Sequence, residues 1–272
     1  MPAAASHKID DYESLLVALQ NVLGVVVPEA QRSRLVERVE PLLSVYELDS
    51  LASLAKRLQD DEDDAVKSSV LDVISQYQPG WGLTAATIKV LHDYVLSQLP
   101  ENARIWVVGC GQGQLAYAVA MELADYENKL GESKNFTLLA TDSSSTNVKQ
   151  AESGIYDEHQ LSGLSAEYLQ LYTTVESTGK SRQVKQKLRQ NVSFNQCDLT
   201  EDFQSIGAVD LIICPEILVY YSNGVKASIL KQFSALLNSG GILLTGNHQH
   251  VPADLGLERV DHPAGVFYRQ KA

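Results

Sequence analysis

RIWVVGCGQG, residues 104–113, is the stretch that decides the fold of this chain. Ile105–Val108 is a short apolar run of β-branched and aromatic side chains, the composition of a buried strand. It runs directly into Gly109, Gly111 and Gly113, which allow a sharp turn and a close approach of backbone to ligand. Helical spacing follows from Gln114 onward. Further along, LLATD, residues 138–142, is a second apolar strand that ends in an acid. Strand, glycine turn, helix and acid-tipped strand together form a unit that holds an adenosine-bearing cofactor in many α/β domains. Asp142 is the candidate acceptor for both ribose hydroxyls.

Working outward, the pattern from residue 104 onward alternates strands and helices. Strands are predicted at 104–108, 137–140, 192–194, 209–214 and 241–245, and helices at 114–124, 146–153, 165–171 and 224–237. The alternation implies an α/β class with a doubly wound, mostly parallel sheet. Residues 257–270 alternate apolar and polar positions and are expected to close the sheet as a strand pair. Before the first strand, a helix is predicted over 84–98. Residues 10–76 read as helix throughout, with apolar spacing at Tyr12, Leu15, Leu16 and Leu19, then at Leu35, Val39 and Leu42, then at Leu51, Leu54 and Leu58. Pro28 is placed to begin one helix, and Asp49 or Ser50 to cap another. The acidic run 60–64 reads as a solvated turn or helix start. The expected organisation is a small helical domain over 1–76, a linker and leading helix over 77–100, and the α/β domain over 101–272.

Composition narrows the function. The formal net charge of −12 disfavours binding of nucleic acid through its phosphates. No apolar run reaches the length of a membrane-spanning helix, so no membrane insertion is expected. The start of the chain lacks the apolar core of a secretory signal. Three widely spaced cysteines, Cys110, Cys197 and Cys214, fit a reducing cytoplasm better than a disulfide framework. No metal site is predicted: there is no CxxC pair, and His248 with His250 lacks a third ligand.

The spacing of the glycines separates candidate cofactors. A phosphate-cradling GxxxxGK[ST] string is absent, and a dinucleotide fingerprint would need glycine where Gln114 stands. The observed GxGxG is the form common in S-adenosylmethionine enzymes. Two later segments add to it. Asn195–Leu199 follows a strand, and Asp198 there either meets the adenine amine or caps the next turn. Residues 214–221, CPEILVYY, follow the strand 209–214, and ligands bind outside the carboxyl ends of parallel strands. Glu216 and Tyr220 lie in this segment.

The quoted segments resemble the chemotaxis-receptor methyltransferases, the CheR family, over nearly the whole chain. The resemblance rests on residues 104–123, RIWVVGCGQGQLAYAVAMEL, on 138–161, which include ESGIY, on VSFNQCDL, on VDLIICPEILVYY, on LNSGGILLTGNHQ and on the terminal VFYRQK. It implies a small helical domain followed by a Rossmann-like methyltransferase domain, with a small inserted β-subdomain around 172–191. It implies transfer of the methyl of S-adenosylmethionine to a glutamate side chain on a receptor, leaving S-adenosylhomocysteine. Under it, Gly109, Gly111, Asp142, Asp198 and Leu199 are cofactor contacts, and Tyr220 lies beside the reacting centre; Gly113, Gln114 and Glu216 complete the set of candidate cofactor-binding residues. Sheet-edge packing is the alternative role for Tyr220.

Departures from the family pattern are specific. Residues 75–84, SQYQPGWGLT, stand where the family joins its two domains. Leu83 falls where an arginine near the substrate carboxylate is expected, and Trp81 where a phenylalanine is. Gln114 and Leu115 stand in place of two glutamates, so the acceptor for the cofactor's amino group has no charge assistance. Pro215-Glu216 replaces an Arg-Asn pair. These departures motivate an alternative, a CheR-like module that binds the cofactor or its product without catalysis. A nicotinamide oxidoreductase is disfavoured by Gln114. The implied partner is a chemoreceptor or other acidic protein segment. It would be met by Arg32, Arg34 and Arg38 or by the basic residues Lys180, Arg182, Lys185, Lys187 and Arg189, all of which could equally be solvated surface.

Overall fold

The computed structural model describes residues 3–27, 29, 32–60, 63–74, 80–215, 217–246 and 249–271. Pro28, residues 75–79 of the linker, Glu216 and His248 lie outside the described residues. The chain divides into two compact units, Met1–Gln76 with Ile217–Ile229, and Tyr77–Glu216 with Leu230–Ala272.

The first unit contains helices α1 (Ala3–Leu23), α2 (Arg32–Val45), α3 (Leu51–Leu58) and α4 (Asp64–Ile74). Its core is the apolar spacing read from the sequence: Leu15, Leu19, Val39, Leu54 and Leu58 are fully buried. Each such side chain contributes about 1.5–3 kcal/mol by leaving water. Ser50 caps α3 by accepting the Ser53 N–H at 3.2 Å. Asp63 starts α4: its carboxylate accepts the Val66 N–H at 3.2 Å and the Arg57 Nε–H at 2.7 Å. The acidic run is thus a helix start at its described end. The segment 217–229 joins this unit through its backbone. The Val26 N–H donates to the Tyr220 carbonyl at 2.6 Å, and the Ser222 N–H to the Gly24 carbonyl at 3.0 Å.

The second unit opens with α5 (Ala85–Val90), a π-helical turn at Leu91–Val95 and α6 (Leu96–Gln98), capped at Thr84. Then follow β1 (Arg104–Val108), α7 (Gln114–Leu130), β2 (Thr137–Asp142), α8 (Ser145–Ser153), β3 (Ile155–Asp157) and α9 (Ala166–Tyr172). After these come β4 (Thr173–Val175), β5 (Ser181–Val184), α10 (Gln186–Arg189), β6 (Val192–Gln196), β7 (Val209–Cys214), α11 (Asn223–Leu236, of which the residues up to Ile229 belong to the first unit), β8 (Leu237–Thr245), β9 (Leu257–His262) and β10 (Gly265–Gln270). Among the described residues no helix is long and apolar enough to cross a membrane.

Seven strands form the main sheet in the order β6-β2-β1-β7-β8-β10-β9. The first five pair in parallel, and β10 lies antiparallel to both β8 and β9, as the closing pair at 257–270 predicts. Strand order reverses at β1, between β2 on one side and β7 on the other. The crevice at the carboxyl end of β1 is therefore the topological switch point where such sheets take ligands. Ile105 and Val107 face α7, while Trp106 points the other way into Phe203 and Phe233, at 5.4 and 5.3 Å between ring centroids.

Three differences from the predicted elements have local causes. Helix α7 continues to Leu130, beyond the predicted 124, and stops where Gly131 takes φ +73°. Gly131 is the left-handed residue that ends a helix, whereas the acids before it only change the face exposed. Strand β8 begins at Leu237, not 241, because Leu237 pairs with Val209 across an irregular register. The β-subdomain has the order β3-β5-β4 and draws its third strand, Ile155–Asp157, from upstream of 172–191. Thr178-Gly179-Lys180 forms the β4–β5 turn, with Gly179 at φ +71°.

Candidate cofactor site

The glycine turn between β1 and α7 is built from three left-handed glycines, Gly109, Gly111 and Gly113, at φ +66°, +56° and +94°. The turn is fastened to β2. The Cys110 N–H donates to the Thr141 carbonyl and the Gly111 N–H to Asp142 Oδ2, each at 2.9 Å. The buried Asp142 carboxylate also accepts the Ser144 N–H and the Asn147 side-chain amide through Oδ1, both at 3.0 Å. Asp142 therefore shapes both the glycine turn and the start of α8.

Gly113 faces inward. A Cβ there would lie 2.7 Å from Ala151 Cβ and 2.9 Å from the Tyr156 hydroxyl. Its lack of a side chain serves helix packing. Gln114, the next residue, opens α7 and is 2 % exposed. Its Oε1 has no hydrogen-bond partner among the described residues, and no other buried side-chain polar atom of the sheet unit is in that state. Leaving such an acceptor unpaired costs about 1–3 kcal/mol. An ammonium donor, such as the amino-acid end of S-adenosylmethionine, would satisfy it, and the residues present fit that group.

Asp198 and Leu199 follow β6. Leu199 is buried. Asp198 Oδ1 accepts both the backbone N–H and the hydroxyl of Thr200 at 2.8 Å. The turn-capping role is realised on that oxygen. The Cys197 N–H donates to the Asp142 carbonyl at 2.9 Å, joining this loop to the tip of β2. The structure thus gathers Gly109, Gly111, Gln114, Asp142, Asp198 and Leu199 around the carboxyl ends of β1, β2 and β6. Tyr220 belongs to the other compact unit, on a single 3-10 turn at Ile217–Tyr220. Glu216 lies outside the described residues.

Residues that the motif reading passed over hold the turn from its other side. Tyr156 is fully buried and donates its hydroxyl to the Gln112 carbonyl at 2.7 Å. The available signal was ESGIY, in which this tyrosine sits. Trp81 is buried against the same ring, edge-on at 5.3 Å. Leu83 packs on the core of the unit. A cavity of about 200 Å³ lies at the carboxyl end of β8, lined by Thr245, Gln249, His250, Arg259 and Tyr268.

Two charged clusters are internally matched. His92, Glu122 and Asp125 bring ligand-type atoms within 4.8 Å of one another. Glu122 contacts His92 Nε2 at 2.7 Å and accepts the Tyr168 hydroxyl at 3.1 Å, while Asp125 pairs with Lys129 at 2.6 Å. In the β-subdomain, Arg182 donates to the Leu169 carbonyl at 3.1 Å and to Thr173 Oγ1 at 2.6 Å. Lys185 donates to the Leu171 carbonyl at 2.5 Å, and Arg189 to the Val184 carbonyl at 3.1 Å. Arg182 and Lys185 serve the last carbonyls of α9, so of the five basic residues only Lys180 and Lys187 are plainly exposed.

The chain is similar in sequence to known proteins over most of its length. The chain is 28% identical over 244 residues to Chemotaxis protein methyltransferase Cher2 of Pseudomonas putida, covering 87% of this chain and 88% of that one. It is 27% identical over 267 residues to Chemotaxis protein methyltransferase 1 of Vibrio cholerae, covering 96% and 97%. To Chemotaxis protein methyltransferase 1 of Pseudomonas aeruginosa it is 28% identical over 272 residues, covering 96% and 98%. The family model described as the SAM binding domain of CheR methyltransferase matches residues 83–262, which takes in the glycine turn and every strand of the main sheet except β10, and the chain belongs to that family.

Proposed function

We propose that this chain is an S-adenosylmethionine-dependent methyltransferase that esterifies a glutamate-type carboxylate on a protein, with a chemoreceptor as the partner and the cytoplasm as the setting. Family membership and the names of its relatives support the class of reaction. The observation that carries the cofactor assignment is the buried, unpartnered Gln114 Oε1 beside the glycine turn.

When bound, the cofactor supplies an electrophilic methyl group on a sulfonium centre. The turn Gly109–Gly113 and Gln114 would hold its amino-acid end. Asp142, Asp198 and Leu199 would line the adenosine end, with Glu216 beyond β7. A carboxylate acceptor is already ionised near neutral pH, so the reaction asks for no strong general base. The work of the protein is alignment and exclusion of water. Tyr220 is assigned to orienting the acceptor carboxylate.

A second reading, a cofactor-binding module without turnover, is favoured by Leu83. Its side chain packs on the core, so this position offers no cation to an anionic acceptor. Incubation with labelled methyl donor and receptor-bearing membranes separates the two. The proposal expects a base-labile label on a membrane protein. Intact S-adenosylhomocysteine binding with no label on any protein would favour the module.

A further inference from the structure

Gln112 is the residue between Gly111 and Gly113, and it is held at both ends. Its carbonyl accepts the Tyr156 hydroxyl at 2.7 Å, and its side-chain Oε1 accepts the Gln160 Nε2–H at 2.8 Å. Gln160 is itself fixed. Its Oε1 accepts the Asp157 N–H at 3.1 Å, its own N–H donates to Asp157 Oδ1 at 2.8 Å, and its carbonyl accepts the Trp81 indole N–H at 2.7 Å. Trp81 closes the circuit by packing edge-on against Tyr156 and lying over Gly163, where a Cβ would come within 3.2 Å of the indole.

The circuit Trp81–Gln160–Gln112–Tyr156 therefore converges on the residue between two left-handed glycines, Gly111 and Gly113, of the turn. Such a turn has little intrinsic preference for one conformation. We infer that Trp81 and Gln160 are positioning residues for the cofactor: they fix Gln112, and with it the turn, in the conformation that S-adenosylmethionine and S-adenosylhomocysteine require. Binding to a turn already ordered avoids the entropy of ordering it, so the circuit raises cofactor affinity without touching the cofactor. The inference rests on the cofactor site proposed above. It adds the segment carrying Trp81, one of the points at which this chain leaves the family pattern, to the machinery of that site.

The test is calorimetry with S-adenosylhomocysteine on the full chain. Gln160→Leu removes the donor to Gln112 and keeps the backbone carbonyl for Trp81. Gln112→Leu removes the other end of the same bond. Trp81→Phe keeps a ring and loses the N–H. Each is expected to weaken binding about 5- to 10-fold, the effect of one internal hydrogen bond. The Gln112→Leu/Gln160→Leu double variant is expected to bind no more weakly than the weaker single. Where turnover is measurable, KM for the methyl donor rises in step and kcat at saturation stays within about twofold, a split that general loosening would not produce. Folded variants that bind within about twofold of the parent would overturn the relay alone. A parent chain that does not bind S-adenosylhomocysteine would overturn the cofactor site beneath it.

Discussion

The Asp142 carboxylate at the tip of β2 accepts the Gly111 backbone N–H at 2.9 Å. The acid that sequence reading assigns to a ribose is thus also the fastening that sets the glycine turn. Ser144 and Asn147 share the same carboxylate. Asp142→Ala leaves these buried donors without an acceptor. A loss of about 2–4 kcal/mol is expected by urea denaturation, together with weaker cofactor binding. A variant with parental stability would show that the carboxylate is free for the ligand alone.

Gly113→Ala tests the packing behind the turn. At φ +94° the new Cβ would sit 2.7 Å from Ala151 Cβ and 2.9 Å from the Tyr156 hydroxyl. Strain and overpacking together are expected to cost about 2–4 kcal/mol. Pairing it with Ala151→Gly removes the nearest clash, and the double variant should regain part of the lost stability. Equal melting temperatures for parent and Gly113→Ala would contradict this account.

Glu122 is a buried carboxylate within α7, joined to His92 and Tyr168. Glu122→Leu leaves both partners without their acceptor and is expected to destabilise the sheet unit by about 1–3 kcal/mol. Glu122→Gln, which retains an acceptor, should cost less. Comparing the two by chemical denaturation separates loss of the hydrogen bonds from loss of volume.

The cysteines set an alkaline limit. Burial, with nearby Asp198 and Glu201, pushes the Cys197 thiol up to about 11. Cys110 is raised by burial and then by Asp142, and Cys214 by burial alone. In each case the folded state holds its proton where the unfolded chain has lost it. Their contribution to stability is therefore complete below the ordinary thiol range and is lost as pH rises toward the folded value, for Cys197 between about 9 and 11. Iodoacetamide at pH 8 should modify the native protein far more slowly than the unfolded one, with Cys197 reacting first. Rapid labelling of Cys110 or Cys214 in the native protein would contradict the burial.

Local signals made the centre of the fold legible. Ile105–Val108 is apolar because it is buried on both faces, and the glycines follow at once, so strand, turn and helix could be placed from ten residues. The closing pair β9–β10 was legible from a different signal, the alternation of apolar and polar residues along 257–270. What failed to show was non-local. Gln112 and Gln160 meet across 48 positions, and neither residue type announces a partner. Ile155–Asp157 is too short to reveal that it pairs with Ser181–Val184. The basic run at 180–189 reads as a surface for an acidic partner, yet Arg182 and Lys185 spend their donors on carbonyls of α9. Gln114 was legible as a departure. Its meaning came from the structure, where the side chain is buried and its oxygen unpaired.

The central claim is that the turn after β1, with Gln114 behind it, receives S-adenosylmethionine. Titration calorimetry of the full chain with S-adenosylhomocysteine and, separately, with a nicotinamide dinucleotide tests it most directly. The account predicts saturable heat with S-adenosylhomocysteine and none with the dinucleotide, and a loss of about tenfold in affinity for Gln114→Leu, the worth of one hydrogen bond to a charged donor. Heat with the dinucleotide alone, or unchanged affinity in a folded Gln114→Leu variant, would contradict it.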